Sequence, residues 1–458
     1  MRTIILLAAL AVSSYADVRL PKYTRTELPN GVVVIAIPKP GIPLVQFRVL
    51  VRGGSDADPA NRDGVSGVVA NLLRKGAAGH SADAFSNELD SLGGTFNALN
   101  NDETTIVAAE FLKKDFEQGL GLVADAVLHP TFPEDEVKKL LSQSIDRVRA
   151  LKDNPAAAIN FYFRPFFYGP AHPYGRIADE AAYARIDRSA IAAFHKQQYV
   201  GRNMILLVSG DFDATTATPA LTKVFGAIPA GTAYKFQPEA KALPGGRLLL
   251  IDKPDATQTY FEIAQPGIRH TDPDRTGVEL LNTLFGGRFT SLLNDALRVS
   301  SGLTYGARST VSQPRNPGAI SISTYTRTET TEKAMDMALD VLRKFHDKGI
   351  DAAQLASAKA YVKGLFPTQR LETSDQVATI VGEIELYGLN KGEVDDLFSR
   401  IDAMTLEQAN AMAKKHYGVD NLTFVVLGNA GKIRDSVKKY APIVTEVDIK
   451  TPGFSATK

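Results

Sequence analysis

The stretch LFGGRFTSLLNDALRVSSGLTYGAR, residues 284–308, decides how the rest of the chain is read. Its glycine pair, Gly286 and Gly287, admits backbone geometry closed to other residues, and Thr290 or Ser291 can cap a helix start. Leu292, Leu293, Ala296 and Leu297 recur at helical spacing, which predicts a helix with one buried face. Gly302 stops that helix, and a β run opens at Leu303. Arg298 and Tyr305 flank the helix-to-strand turn, where a guanidinium and a phenol can both donate hydrogen bonds to one carbonyl or oxyanion. The plainer reading is a helix-terminal cation and a half-buried strand tyrosine, and the local pattern alone favours it.

Outward from this stretch, the chain repeats itself. FRVLVRG at 47–53 resembles FEIAQPG at 261–267, and YVGRNMILLVSG at 199–210 resembles YGVDNLTFVVLG at 417–428 without a gap. A Pro/Gly/Ala-rich stretch at 230–246 separates the copies. With 458 residues the chain exceeds what one core usually supports, so two copies of one fold of roughly 200 residues agree with its length. Hairpin strands mixed with helices, without regular βαβ alternation, predict an α+β class.

Composition removes several functions. There is no cysteine, which excludes disulfides, thiolate metal sites and a cysteine nucleophile. A net charge of +1 without a basic block gives no case for nucleic acid. No G-x-x-x-x-G-K-[ST] or G-x-S-x-G motif is present, so nucleotide hydrolysis and an elbow-type serine hydrolase lack support. Met1-Arg2, the apolar run IILLAALAV and Ser14-Tyr15-Ala16 read as a signal peptide over residues 1–16, so the mature chain is expected to be exported, most naturally to a periplasm. No later apolar run is long enough to span a membrane.

The 284–308 stretch resembles the C-terminal-half signature of the pitrilysin/insulinase-type zinc metallopeptidases, the inverzincins, in their processing-peptidase-like branch. The resemblance rests on the Gly-rich turn, a helix ending in Leu297-Arg298, and Gly302-Leu303-Thr304-Tyr305. It implies two homologous domains, 17–232 and 247–458, each a mostly antiparallel sheet packed with helices, together enclosing a cavity. It also implies that Arg298 and Tyr305 contact a substrate carbonyl and the transition state, with Gly286 and Gly287 in the substrate-binding turn.

Active members of that family place H-x-x-E-H on the first long helix, two imidazoles one turn apart holding zinc and a glutamate acting as base. The matching helix here reads GVSGVVANLLRKG at 64–76, with Gly67 and Asn71 at the histidine positions and Ala70 at the base. On the later helix Leu140 and Arg147 stand where acidic residues are expected, and Asp146 is the nearest carboxylate. Independently of any family, the seven histidines include no helical pair, and they read as structural or solvated. The resemblance therefore implies the subunit of a split zinc peptidase that holds no metal or other cofactor. Zinc and H-x-x-E-H would belong to a homologous partner, and the substrate would be an extended peptide. The alternative is a catalytically inert scaffold or core subunit of a larger complex; a stand-alone peptidase with an unrecognised site comes third.

Overall fold

In a computed structural model, which describes residues 18–236 and 240–455, the repeated segments pair with each other in the same register in both halves. The expected leader at 1–16 lies outside the described residues, as do positions 237–239 of the 230–246 stretch. The strands are β1 (Thr24–Glu27), β2 (Val33–Pro38), β3 (Leu44–Arg52), the short β4 (Gly76–Ala77) and β5 (His80–Ser81), β6 (Thr95–Asn100), β7 (Thr104–Leu112) and β8 (Met204–Gly210). They continue with β9 (Arg247–Asp252), β10 (Gln258–Pro266), β11 (Ala307–Val311), β12 (Ala319–Arg327), β13 (Thr423–Gly428) and β14 (Ile443–Asp448).

One six-stranded sheet runs β1-β2-β8-β3-β7-β6 and the other β14-β9-β13-β10-β12-β11. Phe47 faces Val208 across antiparallel β3 and β8, and Phe261 faces Val426 across antiparallel β10 and β13, which are the partners that the repeat equates. The copies differ at one edge: β1 pairs antiparallel with β2, whereas β14 pairs parallel with β9. The class is therefore α+β, two mostly antiparallel sheets each packed with helices.

Alternation along the strands gives every sheet two faces. On one face Val45, Phe47, Val49, Leu206 and Val208 pack against helices of the same half, including Val65–Leu72 and Phe116–Leu128. Leu248, Phe261, Ile263, Ile322 and Phe424 do the same in the other half. The opposite faces are also apolar, and each is covered by a helix from the other half. Val377, Ala378 and Val381 of helix Ser374–Tyr387 lie on Val33, Ile35, Ile37, Leu50, Ile205 and Leu207. Ile159, Tyr162, Phe163 and Phe167 of helix Pro155–Tyr168 lie on Leu249, Ile251, Ala264, Val425 and Leu427.

Both covering helices are well bounded. Asn154 caps the first by accepting from the Ala157 amide, and Pro155 occupies its first turn. Thr373 and Gln376 form a reciprocal capping box on the second, which ends on left-handed Gly388. No helix among the described residues is long and apolar enough to cross a membrane.

Because Phe167 belongs to one half and fills the sheet of the other, Phe167→Ala should cost about 3–5 kcal/mol. The loss should appear as one urea transition with a lowered midpoint, followed identically by circular dichroism and tyrosine fluorescence.

Candidate functional site

The 284–308 segment folds around two contacts that its sequence only half discloses. Neither Gly286 nor Gly287 has a positive φ, so the expected special backbone geometry is not what the pair provides. Gly286 instead lets the helix end approach β11: a Cβ there would stand 2.3 Å from the Ser309 amide nitrogen. Ser291 caps the next turn by accepting from the Asn294 amide, and residues 295–300 form a wide π-type turn. Gly302, at φ +63°, ends it as expected.

The strand does not open at Leu303. The Leu303 and Thr304 amides both donate to the Leu297 carbonyl, at 2.9 and 3.2 Å, which folds the chain back on the helix end. Thr326 Oγ1 donates to the Leu303 carbonyl at 2.6 Å and Thr324 Oγ1 to the Gly306 carbonyl at 2.9 Å, fixing the loop to β12. Strand β11 begins only at Ala307. With Leu303 buried and Thr304 bound to Gly306, Tyr305 points outward and is 75% exposed rather than half-buried. The Arg298 guanidinium lies 4.7 Å from the ring centres of both Tyr305 and exposed Phe289. Arg298 and Tyr305 are thus brought together, with Phe289 as a third member that the sequence reading passed over.

On helix Val65–Leu72 the three zinc-motif positions lie within one turn. Asn71 donates from Nδ2 to the Gly67 carbonyl at 2.7 Å, Ala70 is buried, and a Cβ on Gly67 would meet only Asn100 Nδ2 at 4.0 Å. The helix start is held by Asp58, whose carboxylate accepts from the Gly64 and Ser66 amides at 2.6 and 2.9 Å. Leu140 packs against the core of its half, and Asp146 is exposed beside Arg149 at 3.3 Å. Among the described residues no three His, Asp or Glu side chains converge in a way that would hold a metal ion. Gly67, Ala70, Asn71 and their surroundings do not fit zinc.

Four of the histidines are engaged as follows. His195 contacts the Val127 carbonyl and stacks on Tyr199; His172 accepts from the Tyr174 amide; His346 contacts the Tyr417 carbonyl; His416 lies 2.8 Å from Asp274.

Between the halves lies a buried acidic group absent from the sequence reading. Glu103, 4% exposed, accepts from the hydroxyls of Tyr174 and Tyr387 and from the Arg315 amide at 2.7 Å. Asp56 stands beside it, and burial, reinforced by the charge of Glu103, pushes its carboxyl up to about 8. Burial also raises Asp58 to about 6 against the pull of its amide donors, and raises Glu262 on β10 to about 7. A lone acid inside an apolar strand, as in TYFEIAQ, was the available signal for Glu262.

Comparison with known proteins follows this geometry. The family model "Insulinase (Peptidase family M16)" matches residues 33–163, and "Peptidase M16 inactive domain" matches residues 185–362, together more than half of the chain. An uncharacterized zinc protease of Mycobacterium leprae is 27% identical over 403 residues, covering 86% of this chain and 90% of that protein. Another, of Mycobacterium tuberculosis strain H37Rv, is 27% identical over 433 residues, covering 92% and 96%. The crystal structure of a peptidase M16 inactive domain from Pseudomonas fluorescens matches with a TM-score of 0.83 at 25% identity, covering 89% of this chain and 98% of that one. A protease structure from Helicobacter pylori shares the fold, with a TM-score of 0.82 at 20% identity.

The raised Asp56 carboxyl has a measurable sign. Above its ordinary value of 3.8 the unfolded chain releases this proton, while the folded chain holds it up to about 8. The folded state then binds more protons, so stability falls as pH rises through that window. Asp56→Asn should flatten the fall in melting temperature between about pH 5 and 8.

Proposed function

From the premise that the chain belongs to the insulinase-type M16 peptidase family, we propose that it is the non-zinc-binding subunit of a heteromeric zinc metallopeptidase that degrades or processes peptides. One observation carries the reading. Arg298 and Tyr305 are held together at an exposed loop, while Gly67, Ala70 and Asn71 offer neither metal ligand nor base.

The division is chemically workable. Metal ligands must cluster around the ion, whereas donors aimed at a developing oxyanion can be presented by a neighbouring subunit. Arg298 would bind the substrate carbonyl and Tyr305 would donate its hydroxyl as negative charge develops. The aromatic ring of Phe289, also 4.7 Å from the guanidinium, supports this by helping to hold it. The zinc chemistry would be that of a homologous H-x-x-E-H partner, and the leader expected from the sequence would put the pair in an exported, periplasmic setting.

The purified chain should carry no stoichiometric zinc by elemental analysis; about one tightly held zinc per chain would overturn the reading. Alone it should cleave no peptide, and mixed with an H-x-x-E-H homologue it should give chelator-sensitive cleavage. In that mixture Arg298→Ala and Tyr305→Phe should each reduce turnover on the order of a hundredfold while the complex still forms. A Tyr305→Phe chain that supports wild-type turnover would make this an inert scaffold subunit instead.

A further inference from the structure

The covering helix Pro155–Tyr168 packs on β10, β13 and β9 but leaves part of the same sheet face open over β12 and β11. There a groove of about 540 Å³ is lined by Asn160 of the helix and by Glu262, Ser323, Arg308, Thr310 and Ser321 of the sheet. Its residues form rows set by strand register. Glu262 faces Ser323, and Ser323 faces Arg308, so carboxyl, hydroxyl and guanidinium project from one face in a line across three strands. Two strand spacings put the ends of that line about 10 Å apart.

Glu262 is 5% exposed, lines the groove, and has no hydrogen-bond or ion-pair partner among the described residues. An unpaired buried carboxylate is costly, and a cation brought to it removes that cost. Arg308, at the exposed end of the row, likewise has no partner among the described residues. Arg164, which lines an adjoining cavity together with Glu262, is engaged with Asp102 and the Tyr174 carbonyl. Gly306, next in the chain to Tyr305, also lines the groove, so the row begins beside the Arg298/Tyr305 loop.

We propose that this groove binds a short zwitterionic peptide, its ammonium at Glu262, its carboxylate at Arg308, and its backbone along Ser323 and its neighbouring hydroxyls. A span of about 10 Å corresponds to about three extended residues. The choice of a peptide rests on the peptidase-subunit reading; the two charges and their spacing do not.

Calorimetric titration of the whole chain, without any partner, tests it with trialanine as probe at neutral pH. Trialanine should bind one per chain. N-acetylation of the peptide or Glu262→Gln should each weaken binding at least about tenfold, and combining them should add little. C-terminal amidation and Arg308→Gln should behave as a second such pair. Glu262→Gln is isosteric, and its melting transition controls for folding. The proposal is overturned if wild-type chain takes up no trialanine, if N-acetyl-trialanine binds as well, or if Glu262→Gln binds like wild type. Because no turnover is involved, failure here leaves the peptidase-subunit reading standing, and failure of the mixing experiment leaves this site standing.

Discussion

Each sheet of this protein has a second apolar face that is covered mainly by a helix from the other half, and this constraint organises the molecule. Val33, Ile35, Ile37, Ile205 and Leu207 pack under helix Ser374–Tyr387, with Leu20 and Tyr23 at the margin, and Leu249, Ile251, Val425 and Leu427 pack under helix Pro155–Tyr168, with Ile449 and Phe454 completing the cover. Leaving even three such side chains in water costs roughly 5–9 kcal/mol, comparable to the whole stability of a domain. The exchange of helices is thus obligatory, and it fixes how the two halves face each other.

Glu103 makes that arrangement specific. Apolar cover alone would tolerate sliding, because burial is non-directional. A buried carboxylate is costly unless its oxygens are satisfied, and for Glu103 the donors come from three separate segments: Tyr174 in the first half, Arg315 and Tyr387 in the second. Asp102 meets Arg164 beside it, tying the first sheet to the covering helix. A shift of one half against the other would strand a charge, so the polar knot sets the register that the apolar faces leave open.

Much of this was legible from residues alone. The paired repeats at 47–53 with 261–267, and at 199–210 with 417–428, equate residues that occupy matching registers in both sheets. Gly302 ended its helix as glycine should. What escaped reading depends on distance in the chain. The apolar pattern of 374–387 announces a buried helix, yet nothing local says that it lies on the sheet of the other half. The same holds for β11, which the run from Leu303 predicted four residues early, because the Leu297 carbonyl and the Thr324 and Thr326 hydroxyls hold residues 303–306 off the ladder. At Gly286 the sequence suggests a conformational need, whereas the demand is for room beside Ser309.

The second sheet changes chemistry strand by strand, in step with its cover. Under helix Pro155–Tyr168 its inner face is Leu249, Ile251, Val425 and Leu427; beyond the helix, on β12 and β11, it becomes Ser321, Ser323, Thr310 and Arg308. That change is what a surface built to meet water or a polar ligand requires, since open aliphatic rows would have to be covered again. Glu262 sits at the transition, on β10, where cover is nearly complete and polar neighbours have begun. A carboxyl at that border is too buried to be hydrated fully and too accessible to be replaced by packing. The exchange that stabilises the fold therefore also leaves a carboxyl at the wall of a groove, beside the loop that carries Tyr305.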